Sequence, residues 1–356
     1  MRQTSYPKIE NSDFNLPIDY KRIHMKETIN KIFSLFLAGQ KIEAMEFALN
    51  SNLFDFLKDK STNFGDITQF LKSDEENTKI FLNALCSLGL LERKNDFYKN
   101  SAFSERYFVK SSKFYCGELF YLRKRMGESG AKCLKSLILQ GNSAVCGDDM
   151  HSSESSWASY SQGALRQYQN IFYKKIITSL EKEINFKNIK SMLDIGAGAG
   201  IFDFELVKKY KNLNAVLFDL KDVMSAAKQN AREYDLKDRI KFISKDADKD
   251  DIGGGYDLII CMNLFYFTRD VTRICEKIYK ALNKNGIFIS MHSCFGDEKI
   301  DQDLYFNFLF LILRGHTVFS SAKLCEILKL CGFESISVKT CPETLLQTQT
   351  IHIARK

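Results

Sequence analysis

Proline is scarce: three residues in 356, which leaves little room for long rigid linkers. Basic charge is not clustered. The net charge of +7 is spread along the chain, and no arginine-rich stripe suggests a nucleic-acid partner. Long apolar runs are missing too. The most apolar one, Leu304 to Leu313 (LYFNFLFLIL), is about half of what a bilayer requires and reads as a buried helix, so no membrane partner is expected. The opening residues, MRQTSYPKIENSDFNLP, lack the apolar core of a secretory signal. Ten cysteines are present without a single CxxC pair. That argues against a zinc site or a disulfide framework and for reduced thiols in the cytoplasm. The acidic runs at 246–251 (DADKDD) and 297–303 (DEKIDQD) read as solvated loops, and no metal is expected.

What is there is the composition of a soluble globular protein, 45% hydrophobic and 27% charged, long enough for two domains. The 29 Phe and 15 Tyr either line a pocket or fill a core. Residues 1–19 read as an arm. Over 20–105, apolar residues first recur at helical spacing (Ile29, Ile32, Phe33, Phe36, Leu37, then Ile42, Met45, Ala48). Asp66 is then placed to cap a short helix. A second helix opens at Asp74-Glu75-Glu76 and presents Phe81, Ala84, Leu85 and Leu88 on one face. Gly89 ends it, and LLERKNDFYKN reads as a hairpin turning at Asn95–Asp96. Helix, turn, helix, hairpin is the winged-helix order. Three carboxylates at the start of the would-be recognition helix oppose phosphate, so the module reads as one for protein–protein contact.

Residues 106–185 read as a helical connecting region interrupted by a polar loop at 141–156. From 186 to 356 strands and helices alternate, the pattern of an α/β domain with a parallel sheet. Seven strands are expected: SMLDIG, NAVLFD, IKFIS, YDLIICM, GIFISMH, SISVKT and TIHIAR.

The strongest local signal is Ser191-Met-Leu-Asp-Ile-Gly-Ala-Gly-Ala-Gly200, a strand running into a glycine-rich turn and then a helix from about Phe202. Asp219 closes the next strand, where a carboxylate can accept both hydroxyls of an adenosine ribose. A dinucleotide site needs similar parts, but its GxGxxG fingerprint fails at Ile201. Asp194, two residues before the first glycine, is awkward beside a pyrophosphate and suits a cationic amino-acid group. The pattern is DxGxGxG, and S-adenosylmethionine (SAM) is the expected cofactor. Asp246 and Ala247 follow the third strand, where adenine's exocyclic amine would be met, and Asn263 ends the fourth. The cofactor candidates are therefore Asp194, Gly196, Gly198, Gly200, Asp219, Leu220, Asp246, Ala247 and Asn263.

On these motifs, and on IEAMEFALNSNLFDFL and FLNALCSLGLLERKNDFYKNS, residues 22–356 resemble the small-molecule O-methyltransferase family that includes plant phenolic, acetylserotonin and bacterial polyketide methyltransferases. The resemblance implies a Rossmann-like SAM-binding domain preceded by a winged-helix-like dimerisation domain, a homodimer, and transfer of a methyl group to a small aromatic or polyketide-like metabolite. It also implies that the segment around 155–175 roofs the site, which makes Trp157, Tyr160 and Tyr168 candidates for substrate binding; helical packing is the other reading of these three.

Family members that methylate a hydroxyl carry a catalytic His just after the fourth strand, where this chain has Tyr266. A neutral phenol is a weak base at pH 7. The departure favours an acceptor that is already ionised, an enolised carbon or an amine, or else a base from elsewhere, His292 or His316. Tyr266 is alternatively a packed aromatic, and each His a local hydrogen-bonding group. Phe306, Phe308 and Phe310 line the pocket, the dimer interface or the core. Non-methyl-transfer SAM chemistry (hydroxylation, decarboxylation or cyclisation) and a non-catalytic winged-helix regulator stand as alternative functions.

Overall fold

The computed structural model describes residues 25–112, 114–121, 124, 134–141, 164–296, 302–313, 315–341 and 348–356. The N-terminal part begins with two helices, Met25–Phe36 and Ala38–Asn50. Met45, Ala48 and Leu49 turn inward and pack with Leu53, Phe54, Ile67, Leu82, Leu85 and Tyr98. The apolar residues of the preceding turns do not follow them in: Phe33 is 58%, Leu35 74% and Phe36 69% exposed.

The helix Phe64–Leu71 is capped by Asn63 and not by Asp66, as expected from sequence. Asn63 has the extended backbone of a cap and its side chain accepts the Asp66 N–H; Asp66 is already inside the first turn. The next helix, Glu75–Ser87, is capped by Asp74, which accepts the Asn77 N–H. It stops where Gly89 takes a left-handed φ of 71°, donating to Cys86 while Leu90 donates to Leu85. A hairpin follows, β2 (Leu91–Lys94) and β3 (Phe97–Asn100), turning at the left-handed Asn95. β3 also pairs with β1 (Thr62–Asn63), giving a small sheet of order β1-β3-β2.

All seven strands expected from sequence form one sheet: β4 (Ser191–Ile195), β5 (Asn214–Asp219), β6 (Ile240–Ser244), β7 (Tyr256–Met262), β8 (Leu282–His292), β9 (Ser335–Cys341) and β10 (Gln349–Arg355). Their order is β6-β5-β4-β7-β8-β10-β9. β4 through β8 run parallel, and β10 is antiparallel to both β8 and β9. Side chains alternate across the pleat, so the central strands feed two cores. Met192, Leu217, Leu258 and Ile289 pack on one face with Phe202, Phe204 and Ile176. Leu193, Phe218, Ile259 and Phe288 pack on the other with Ile274, Ile278, Leu324 and Leu328. Burial on both faces explains why these strands read as unbroken apolar runs. Each such side chain contributes about 1.5–3 kcal/mol on leaving water.

The helix Gln302–Leu313 is not wholly buried, as its composition suggested. Phe308 and Leu311 face inward, while Phe306 is 65% exposed. Among the described residues no helix is long and apolar enough to cross a membrane.

Candidate active site

The strand order reverses between β4 and β7: β5 and β6 lie to one side, β7 and β8 to the other. In open α/β sheets the crevice at the carboxyl ends of such strands is where ligands bind. β4 runs out into the glycine loop there. Gly196 (φ 77°) and Gly200 (φ 74°) hold left-handed backbone that residues with a Cβ rarely adopt. Space is also short. A Cβ on Gly196 would meet Leu264 at 3.1 Å, and one on Gly200 would meet Phe204 at 2.6 Å and Leu217 at 2.8 Å. The helix Ile201–Lys209 starts immediately, one residue earlier than its sequence suggests.

Asp219 ties the loop to β5. Its Oδ2 accepts the Gly198 N–H (2.9 Å) and its Oδ1 the Leu220 N–H (2.7 Å). Asp194, Gly196, Gly198, Gly200, Asp219 and Leu220 thus stand together at the ends of two adjacent strands. Asp246 and Ala247 follow β6 in a loop braced both from within and from a neighbouring helix. The Asp246 carboxylate accepts the Asp248 N–H (2.9 Å) and pairs with Lys249 (2.8 Å). Burial opposes ionisation of Asp246, but Lys249 and the Asp248 N–H outweigh it and hold its pKa below the ordinary value. Lys277, from the helix Val271–Ala281, donates to Ala247 O (2.7 Å) and Asp250 O (2.9 Å). Asn263 follows β7 with a left-handed φ of 54°, and its side chain accepts from Gln349 Nε2 (3.0 Å). The sequence did not single out Lys277 or Gln349, because each acts from an element distant in the chain.

Under the loop, Asp194 is 3% and Asp203 0% exposed. Desolvation is the main cause that lifts both carboxyl groups above the usual range. Asp219 adds to it at Asp194, and Asp194 adds to it at Asp203. The two carboxyls meet each other, while Oδ1 of Asp194 has no other partner. A loop that excludes Cβ atoms, a strand-end carboxylate beside it and an orphaned buried carboxyl oxygen suit a ligand with a ribose at one end and a cationic amino acid at the other.

The expected catalytic candidates sit apart in character. Tyr266, in the short 3-10 turn Phe265–Phe267, is 4% exposed, stacks on Phe319 and donates its hydroxyl to Ser293 O (2.9 Å). Burial pushes its phenol well above the ordinary value. His292, at the end of β8, is fully buried, and desolvation holds it neutral. Its Nε2 accepts the Phe265 N–H (3.1 Å) and its Nδ1 lies 2.8 Å from Ser290 Oγ. Both groups are engaged in the packing of the core. His316 is half-buried, edge-on to Phe267 at 4.6 Å, in a segment tied to the Tyr266 turn by Thr317 N–H to Tyr266 O (3.1 Å). Trp157 and Tyr160 lie outside the described residues. Tyr168 falls in the helix Ala164–Leu180, with its side chain outside the description. Among the described residues no group of three or more His, Cys, Asp or Glu is placed to hold a metal ion.

Comparison with known proteins bears on the family and the fold. The model of the O-methyltransferase domain matches residues 144–334. An uncharacterized protein of Methanocaldococcus jannaschii is 27% identical over 272 residues, 74% of this chain and 70% of that one. The N,N-dimethyltransferase OxyT of Streptomyces rimosus is 23% identical over 191 residues, 52% of this chain and 55% of that one. Human N-acetylserotonin methyltransferase, solved in complex with SAM, superposes with a TM-score of 0.73 at 19% identity, covering 94% of this chain and 98% of that one. That last likeness is one of fold. Since the family model spans more than half of the chain, the protein belongs to the O-methyltransferase family and is a methyltransferase that uses S-adenosylmethionine.

Proposed function

We propose that the protein methylates a small aromatic or polyketide-like metabolite at a nucleophile that arrives already reactive: an ionised phenol or enol, or an amine. The observation that carries this reading is the commitment of Tyr266 and His292. The hydroxyl of the first is donated to Ser293 O, and both ring nitrogens of the second are engaged with Phe265 and Ser290. Neither is poised to take a proton from an acceptor. His316 is then the one candidate of the three whose ring stands outside the deep core. The family prior favours oxygen as the acceptor atom, and the likeness to an N,N-dimethyltransferase supports nitrogen as the second option.

Bound SAM supplies a methyl group on a sulfonium, and the chain's share of the chemistry is mainly positioning. In this reading Asp219, at the end of β5 beside the glycine loop, accepts the ribose hydroxyls. Asp246 and Ala247 meet the adenine, Asn263 lines the β7 side, and Asp194 faces the methionyl ammonium. The exposed apolar residues Phe33, Leu35 and Phe36 support a homodimer through the N-terminal module.

The test is transfer of label from methyl-labelled SAM to a panel of acceptors graded by pKa. Amines and phenols that ionise below about pH 7 are expected to react, and simple phenols with pKa about 10 are not. Equal turnover of simple phenols, abolished in His316→Ala, would replace this reading with base catalysis by His316.

A further inference from the structure

Asp194 and Asp203 form a buried carboxyl pair that positioning chemistry alone leaves unexplained. Asp194 lies in β4 and Asp203 in the first turn of the helix Ile201–Lys209. Oδ1 of Asp194 finds no hydrogen-bond donor, and the Asp203 carboxyl has beside Asp194 only its own backbone N–H. No ammonium or guanidinium among the described residues acts on either carboxyl. Among the described residues, the other titratable groups against the pair are Asp219 from β5, which adds negative charge, and Cys261 from β7, a thiol that burial keeps protonated. On the packed helix Ala164–Leu180, Lys174 is paired with Glu205 (3.5 Å). Two carboxylates cannot stay in contact in a dry site with both ionised, so the contact itself requires a proton between them.

We propose that Asp203 is the proton-sharing partner of Asp194: the free protein holds one proton on the pair and releases it to solvent when the cationic end of S-adenosylmethionine binds. The inference rests on the cofactor assignment and goes beyond it. Only one O–H bond breaks, and its proton passes to the buffer. The methionyl end of SAM carries an ammonium and a sulfonium against one carboxylate, so it is net positive. A cation beside a carboxyl pair favours its fully ionised form. The N-terminal turn of a helix favours the new charge on Asp203. The demethylated product retains the ammonium and lacks the sulfonium, so it draws the proton off less completely. The pair therefore makes the preference for SAM over product depend on pH. Because the SAM-bound form holds fewer protons, affinity rises with pH through the titration of the free pair, by up to about tenfold per pH unit for one proton.

The experiment is calorimetric titration of the purified protein with SAM and with S-adenosylhomocysteine, in two buffers of different ionisation enthalpy, from about pH 6 to about pH 9. The enthalpy difference between buffers counts protons released. The wild type is expected to release close to one proton per SAM near neutrality and clearly fewer per product. Asp203→Asn and Asp203→Ala, each checked for the native circular dichroism spectrum, are expected to bind SAM with the release and its pH slope lost. Two variants are needed, since one of them can misfold. SAM binding without buffer-dependent enthalpy in the wild type overturns the proton-sharing pair and leaves the cofactor site intact. Wild-type release persisting in a folded Asp203 variant does the same. Failure of the wild type to bind SAM at any pH overturns the pair and the cofactor assignment together.

Discussion

The hydroxyl of Tyr266 ends on Ser293 O, in a pocket walled by Phe319 and His292. Its removal in Tyr266→Phe leaves that carbonyl without a donor, which costs about 1–2 kcal/mol of stability. A lower melting temperature is expected, with kcat on a reactive acceptor within about twofold of wild type. A fall of kcat by about a hundredfold at unchanged stability would place the phenol in the chemistry after all. The residue scale is also where the sequence misled by omission. Asp203 sits in IFDFELV and looks like any acidic residue in a first helical turn. Its distinction is full burial against Asp194, a contact between two elements. The signal that was available is a carboxylate with apolar neighbours on both sides.

At the scale of elements, the loop 246–251 is held from outside itself. Lys277 rides on the helix Val271–Ala281, whose Ile274, Cys275, Ile278 and Ala281 are buried, and its ammonium reaches back to Ala247 O and Asp250 O. In Lys277→Met the stem remains and the donors go. The loop proposed to meet adenine then loses its clamp. The dissociation constant for SAM is expected to rise about tenfold, about 1.4 kcal/mol, while kcat at saturating SAM is retained. An unchanged constant in calorimetry would mean that Asp246, Lys249 and the backbone hold the loop by themselves. The strands were legible because a sheet buried on both faces needs apolar runs of strand length. The insertion of β10 between β8 and β9 was not, because lateral order depends on partners far away in the chain.

Across the whole molecule, two sets of buried groups titrate in opposite senses. His292 and His352 are held neutral by desolvation, His352 down to about 4. The unfolded chain protonates its histidines near pH 6.5, before the folded one does, so this contribution to stability is present above pH 6.5 and is lost as pH falls below it. The Asp194–Asp203 pair works the other way. Its raised pKa lets the folded protein keep protons that the unfolded chain gives up, so its contribution is greatest in acid and fades as pH rises through the pair's titration. Below about pH 6.5 the two oppose each other, and the histidines supply the limb along which the ligand-free melting temperature falls with falling pH. His352→Gln should flatten that limb, and a limb unchanged in the variant would assign it to other groups. Assembly is tested at the same scale. Phe33→Asp with Phe36→Asp is expected to convert a dimer to a monomer in light scattering, and a monomeric wild type would remove the dimer from the proposal.

The sequence by itself determined the α/β class, the seven strands, the winged-helix order and the glycine loop. All four are written locally: side-chain period, glycines where the backbone must turn left-handed, and a carboxylate at a strand end. It could not decide which polar groups were already spoken for. Tyr266 and His292 were open candidates as residues, and only tertiary contacts with Ser293, Phe265 and Ser290 engaged their polar atoms. The Asp194–Asp203 contact was likewise decided in three dimensions. The physical reason is common to both. Protonation and reactivity are set by desolvation and by the nearest charge or hydrogen-bond partner, and those neighbours exist only once the chain has folded.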